Sequence, residues 1–396
     1  MPREDPVNVA CHDRSVRSLA CGSSLRYNGL ALSRAPAPGT RLFGVAWATP
    51  IYRREEVDRA GEVLVSPSNA DEAELALTVI NNWRSAHAFP LNTFQVTLRF
   101  KARKVETNAL VAQRIKRLSS IDAKLKRFRT MKLSKMQDVG GCRAVLTNVR
   151  SVTDLVGLYK NSELKHSLVG IDDYIAEPKP SGYRSVHLKY RYFSDRNKTY
   201  NGLRIEMQLR SQPQHAWATA VETVGTFIRQ ALKSSIGEKD WLRFFVLMGA
   251  WLAGEEGTPS VPGAPEKIDD LRSEIRHLSR RLDVENRLTR YGEALNVLEQ
   301  PIPSAVRYFL LELEPQTHRM TVRGYEKSDL ERATNDYLAI ERANETKAAG
   351  ADAVLVSVDS LATLRRAYPN YFLDTATFLE AVRRAVGRPV AASRRK

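Results

Sequence analysis

The sequence predicts an α/β (α+β) fold: a mixed-sheet domain with flanking helices, followed by a small C-terminal α/β module. Three observations carry that expectation. A strand–helix–strand–turn–strand series runs from Cys142 to Ser211. The Pro/Gly-rich stretch GEEGTPSVPGAPEK (254–267) then interrupts it. Beyond the interruption, the strand patterns AVRYFLLEL, HRMTVRGYE and DAVLVSV surround one helical pattern.

Taken in order, residues 1–45 mix Arg, Ser, Ala, Pro and Gly without an apolar face, which predicts a disordered extension. In 46–105 the spacing of Val57, Ala60 and Val63, then Ala76, Val79, Ile80 and Trp83, predicts two helices between Glu55 and His87. FQVTLRF (94–100) alternates and reads as a short strand or a helix lead-in. NALVAQRIKRLSSIDAKLKRF (108–128) reads as helical, with Ser119 or Ser120 as an N-cap after a break. The sheet domain is expected over 106–254. Within it CRAVLTNV is a strand, SVTDLVGLYKNS a helix capped by Ser151, and YRSVHLKYRYF and GLRIEMQLRS are strands. A helix follows from Pro213 to Gln230. Residues 265–300 read as a long connecting helix broken near Gly292, and 301–396 as the C-terminal module. That module would hold a helix from Asp329 to Ala349 and a last one from Asp374 to Val386.

Composition narrows the function classes. No apolar run reaches the length of about eighteen residues that a spanning helix needs, and no secretory leader is visible, so a cytoplasmic protein is expected. Cys11, Cys21 and Cys142 have neither metal-ligand spacing nor an even count for disulfides. The formal charge of +16 suits a polyanionic partner, although a soluble protein that uses arginine freely would share it. The charge is also clustered: from Lys101 to Lys135 about a dozen Lys and Arg face only Glu106 and Asp122.

Four stretches stand out as candidates for phosphate chemistry. In QRIKRLSSIDAKL, residues Arg114, Lys116, Ser120 and Lys124 point toward one anion if a strand meets a helix there. In QDVGGCRAVL, Asp138 precedes two glycines at a strand mouth, and Arg143 follows. In RIEMQLR, residues Glu206, Gln208 and Arg210 share one face of a strand whose other face is apolar. Such a charged triple is costly if it faces inward without a metal or substrate, and ordinary if it faces water. In IAEPKPSGYRSVHL, Lys179, Ser181 and Gly182 bracket a turn that presents Tyr183, with His187 alongside. Tyr183 is either a buried tyrosine or a platform for a nucleobase, where stacking contributes about 1–3 kcal/mol.

Together these stretches resemble the RelA/SpoT-type pyrophosphokinase domain. RIKRLSSIDAKL is similar to the family's ATP-binding segment, DVGGCR to its acidic–arginine motif, PKPSGYRSVH to its acceptor loop, and EMQLR to its catalytic strand. The resemblance spans about residues 106–230, with the motifs in the family's order. It implies a nucleotidyltransferase-like fold and transfer of pyrophosphate from ATP to a ribose 3′-hydroxyl. By position, Asp138 and Glu206 would hold Mg²⁺, with Glu206 also the base. Arg114, Lys116, Ser120, Lys124 and Arg143 would grip the ATP phosphates. Lys179, Ser181, Tyr183, His187, Gln208 and Arg210 would meet the acceptor. Ser181 departs from the family's usual asparagine. The only His-Asp pair, His12-Asp13, falls in the extension, so no hydrolase domain of the family's long members is expected.

The C-terminal part resembles the fused toxin–antitoxin members called CapRel. LRRAYPNYFLDTATF holds Tyr368 and Tyr371 around a Pro-Asn turn. The module would be a zinc-binding domain without its ligands, since no cysteine follows Cys142. The resemblance implies a tyrosine pair docked on the ATP site, released when a phage protein binds the module. A plain packing role for the two tyrosines is the alternative. The basic segment favours the 3′ end of tRNA as acceptor, with GDP or GTP as the alternative; a non-catalytic RNA-binding protein is a third reading.

Overall fold

The computed structural model describes residues 47–227, 239–293, 296–299, 306–314, 317, 319–345, 352–357, 361–368 and 375–387. The extension 1–45, His12-Asp13 and Tyr371 lie outside the described residues.

Three helices open the fold: α1 (Arg54–Val65), α2 (Ala70–Ala86) and α3 (Ala88–Val105). The Asn69 side chain caps α2 by accepting from the Glu72 N–H at 2.9 Å. FQVTLRF is helical, not a strand. Phe94, Leu98 and Ala102 recur every four residues and are buried against the sheet, so the helical period outweighs the two-residue alternation.

The stretch 108–128 is the reverse case. It splits into strand β1 (Leu110–Ile115) and helix α4 (Leu118–Arg127). The apolar run LVA supplies a strand, and Arg117 is the N-cap; Ser119 and Ser120 lie inside the first turn. Strand β2 (Gly140–Leu146) follows, then α5 (Val149–Lys160). Asn148 caps α5 by accepting from the Ser151 N–H at 2.9 Å, so the capping roles expected here are reversed. Strand β3 (Ser167–Asp173) has no counterpart in the sequence reading, because it is a largely exposed edge without an apolar face. Strands β4 (Val186–Arg191) and β5 (Arg204–Ser211) match their expected segments, as does α6 (Gln212–Phe227).

Helices α7 (Lys239–Glu255), α8 (Ile268–Arg281) and α9 (Val284–Glu293) come next. The break between α8 and α9 falls at Asp283, whose φ is 50°, and not at Gly292. Residues expected to continue that helix instead form strand β6 (Asn296–Glu299). Strands β7 (Val306–Glu314) and β8 (Arg319–Glu326), helix α10 (Leu330–Glu345), strand β9 (Asp352–Ser357), and helices α11 (Leu361–Ala367) and α12 (Ala376–Val386) follow among the described residues.

The nine strands among the described residues make one mixed sheet in the order β3-β4-β5-β2-β1-β9-β7-β8-β6. The C-terminal strands therefore continue the first sheet instead of forming a separate one. The joint is short: β9 pairs with β1 through Gln113–Ser357 and Arg114–Val356. One face of the first half is covered by α3, whose Phe94 and Leu98 pack with Ala144, Ile205 and Met207. Full burial of each large apolar side chain contributes roughly 1.5–3 kcal/mol. On the other face, Leu364, Ala367 and Tyr368 pack with Leu110, Ala112 and Val145. Helices α6, α7, α8 and α12 share a further apolar core. Among the described residues no helix is long and apolar enough to cross a membrane.

Candidate active site

Strand register builds the site. Arg114 pairs with Gly141, and Gly141 with Glu206, so three neighbouring strands set a cation, a gap and a carboxylate in one row. The next row is Ala112, Arg143 and Gln208, with His187 opposite Gln208 on β4. Because side chains alternate along a strand, these residues share the face that α3 does not cover. The glycine leaves the space that becomes a small cavity. Arg114, Lys116, Asp138, Gly141, Arg143, Glu206, Gln208 and Tyr368 line it, and its volume is about 30 Å³.

Asp138 sits just before β2 and accepts from Lys116 Nζ at 2.9 Å and Lys124 Nζ at 2.8 Å. Burial raises its pKa, but the two ammonium groups outweigh burial and hold the carboxyl well below the usual range. Burial in turn pushes Lys116 down, with Asp138 opposing.

Glu206 belongs to a closed ring of side chains. His187 Nδ1 donates to Glu206 Oε1 at 3.0 Å, and Gln208 Nε2 donates to Oε2 at 2.9 Å. Arg210 Nη2 donates to Gln208 Oε1 at 3.0 Å and to the Tyr183 hydroxyl at 2.8 Å. That hydroxyl lies 2.7 Å from His187 Nε2, which closes the ring. Burial disfavours the charged imidazole, but Tyr183 and Glu206 on its two nitrogens outweigh burial and raise His187 to about 9. Burial also raises Tyr183, yet Arg210 and His187 bring the phenol down to about 7. The carboxyl of Glu206 ends below its ordinary value: burial opposes this, and His187 drives it.

Arg143 is buried on the same face. It donates to the Ala367 carbonyl at 3.1 Å and lies 5.4 Å from the centre of the Tyr368 ring. Burial lowers its pKa, and repulsion from Arg210 and Arg114 lowers it further. Three guanidinium groups crowded on one face call for an anion.

The acceptor-loop residues are arranged less simply than expected. The turn forms: Gly182 has φ of 90°, and its N–H donates to the Lys179 carbonyl at 2.9 Å. Tyr183 is not held out free, however. Its ring is half-buried and meets Tyr174, His187 and Trp217 edge-on, and its hydroxyl is tied into the ring described above. The more open ring is that of Tyr174, with Lys179 Nζ 4.0 Å from its centre. The sequence reading missed Tyr174, although an aromatic residue directly after two aspartates and before the proline turn was a usable signal. Ser181 stands apart, lining a neighbouring pocket with Trp217 and Phe245. Ser120 sits in the first turn of α4 and does not line the cavity.

Asp138 and Glu206, 68 positions apart by their numbers, thus share one cavity with Arg114, Lys116 and Arg143. Two carboxylates suit Mg²⁺, which is commonly held by one or two carboxylates plus substrate phosphates. Among the described residues no group of three or more His, Cys, Asp or Glu is placed to hold a metal ion.

Comparison with known proteins finds the following likenesses. The family model described as "Region found in RelA / SpoT proteins" matches residues 113–225. GTP pyrophosphokinase YjbM of Bacillus subtilis is 31% identical over 170 residues, 42% of this chain and 72% of that protein. GTP pyrophosphokinase YwaC of Bacillus subtilis is 29% identical over 111 residues, 27% of this chain and 52% of that protein, so the chain spans about half of its length. A solved structure, small alarmone synthetase 2 from Bacillus subtilis, is similar at 22% identity and a TM-score of 0.37, covering 44% of this chain and 95% of that one.

Proposed function

The chain belongs to the RelA/SpoT family, and from that premise we propose that it transfers pyrophosphate from ATP to a ribose 3′-hydroxyl. The acceptor oxygen forms a bond to the β-phosphorus, the bond from that phosphorus to the α–β bridging oxygen breaks, and AMP leaves. The hydroxyl proton goes to Glu206. The observation that carries this reading is the single cavity shared by Asp138, Glu206, Arg114, Lys116 and Arg143. Phosphoryl-type transfers are accelerated chiefly by positioning and by neutralising charge, and these side chains supply both.

Each residue has a part. Asp138 and Glu206 would hold Mg²⁺, which would neutralise phosphate charge. Lys116 and Lys124, now on Asp138, would turn to the phosphates with Arg114 and Arg143, and Ser120 would add its hydroxyl from the first turn of α4. His187 and Gln208 orient the Glu206 carboxylate. Tyr183, Arg210, Lys179 and Ser181 would meet the acceptor, and Tyr174 adds a ring beside Lys179.

The chain as it stands is closed. A cavity of about 30 Å³ is far below the roughly 300–1,000 Å³ typical of small-molecule sites and excludes a triphosphate. Tyr368 and the Ala367 carbonyl occupy Arg143. This supports an autoinhibited enzyme whose C-terminal segment is displaced by a partner, in the resemblance a phage protein; Tyr371 would complete the plug.

For the acceptor, the basic stretch 101–135 supports the 3′ end of tRNA, whose modification would block translation. The names of the matched relatives, GTP pyrophosphokinases, support GDP or GTP as the second reading. Radiolabelled ATP offered with tRNA, GDP and GTP separately decides between them. Label in RNA supports the first, label in a guanosine nucleotide the second, and AMP release with neither acceptor counts against both.

A further inference from the structure

The chemistry above leaves Arg84 without a role. This α2 side chain is 1% exposed. Its Nε donates to the Lys116 carbonyl at 3.0 Å and its Nη1 to Asn81 Oδ1 at 2.8 Å. Nη1 and Nη2 also donate to Glu341 of α10, at 2.6 and 3.2 Å, and Nη2 to the Tyr337 hydroxyl at 2.5 Å. Glu341 has further donors. Its Oε1 accepts from the backbone N–H of Leu118 at 3.0 Å and from the Tyr337 hydroxyl at 2.6 Å.

This is a built anion seat. A desolvated guanidinium stands beside the first N–H of α4, where the free N–H groups and the dipole of a helix favour negative charge. A buried cation without a partner is costly, so the seat requires an anion. It also adjoins the site. The residue whose carbonyl Arg84 holds is Lys116, whose Nζ reaches Asp138. Lys116 to Lys124 is the segment assigned above to the ATP phosphates.

We propose that Arg84 and the Leu118 N–H form a phosphate seat on the ATP side, filled in the closed chain by the Glu341 carboxylate as an internal stand-in. When α10 withdraws, a nucleotide phosphate oxygen takes the seat. The inference rests on the ATP-binding reading and adds to it a second plug, based on charge, beside the aromatic plug at Tyr368. The coupling is reciprocal: a polyphosphate that occupies the seat loosens α10.

The test is calorimetric titration of full-length variants with a non-hydrolysable ATP analogue and with inorganic tripolyphosphate. Tyr368→Ala first clears the ring. Adding Glu341→Gln keeps an oxygen for the Leu118 N–H but removes the charge, and is expected to raise affinity for both probes at least tenfold. A further Arg84→Met is expected to abolish that gain. Tyr337→Phe, which deletes one hydroxyl holding the carboxylate, serves if Glu341→Gln does not fold, with an expected gain of about threefold. Equal binding by Tyr368→Ala with and without the second change, or a gain that survives Arg84→Met, overturns the seat and leaves the ATP site standing. Absence of binding by every folded variant overturns the ATP reading itself.

Discussion

Glu206 is buried among partners that keep it charged, and the reaction proposed for it needs that charge. Glu206→Gln keeps the contact with His187 but cannot take a proton. Pyrophosphate transfer is expected to fall about 10²–10⁴-fold, with Mg²⁺-dependent ATP binding weakened far less, as product formation and calorimetry will show. His187 sets the pH behaviour. Its folded pKa, about 9, lies above the ordinary value for histidine, so the stability it contributes is complete below about pH 6.5 and is lost as pH rises through 9. An NMR titration of the His187 ring is expected to report that raised midpoint, and Tyr183→Phe, which removes one of its two partners, to lower it. The alternation of Glu206, Gln208 and Arg210 on one strand face was legible in the sequence, because strand period alone dictates it. That they close a ring with His187 and Tyr183 was not, since the closing contacts cross from β5 to β4 and its turn.

At the scale of elements, the acceptor turn is set by its fit against α7. A Cβ on Gly182 would lie 2.8 Å from the Phe245 carbonyl and 3.1 Å from the Trp217 ring, at a φ of 90° that side chains rarely adopt. Gly182→Ala is therefore expected to cost at least about 1–3 kcal/mol of stability and to impair acceptor turnover more than ATP binding. Thermal unfolding and separate Michaelis constants check this. Element type was readable where one period dominated, as in α2, β5 and α10. It failed in several stretches, β6 among them, and two show why. The segment 108–128 carries helix formers throughout, but its first half is claimed by pairing with β2, and β3 is an edge strand without a buried face to mark it.

For the whole molecule, the proposal is a site closed by its own C-terminal segment. Tyr368 is 1% exposed and fills the space beside Arg143. Tyr368→Ala is expected to lower thermal stability by about 3–5 kcal/mol, the range for removing a large buried ring, while raising ATP affinity. A protein that is destabilised without gaining ATP affinity would show the tyrosine to be packing only. If RNA is the acceptor, its affinity is expected to fall steeply between 50 and 200 mM salt, by roughly 10³–10⁵ if six to ten phosphates are contacted; a flat salt response argues for a mononucleotide.

The sequence by itself determined what depends on near neighbours: strand alternation, helix period, the glycine turn, and motifs dense enough in charge to read as phosphate chemistry. Only the tertiary structure decided that the C-terminal strands join the same sheet, that Tyr368 reaches Arg143, and that Glu341 reaches Arg84 across 257 positions. Contacts so distant leave no local periodicity, because they are selected by the packing of whole elements and by the need of a buried charge for a partner.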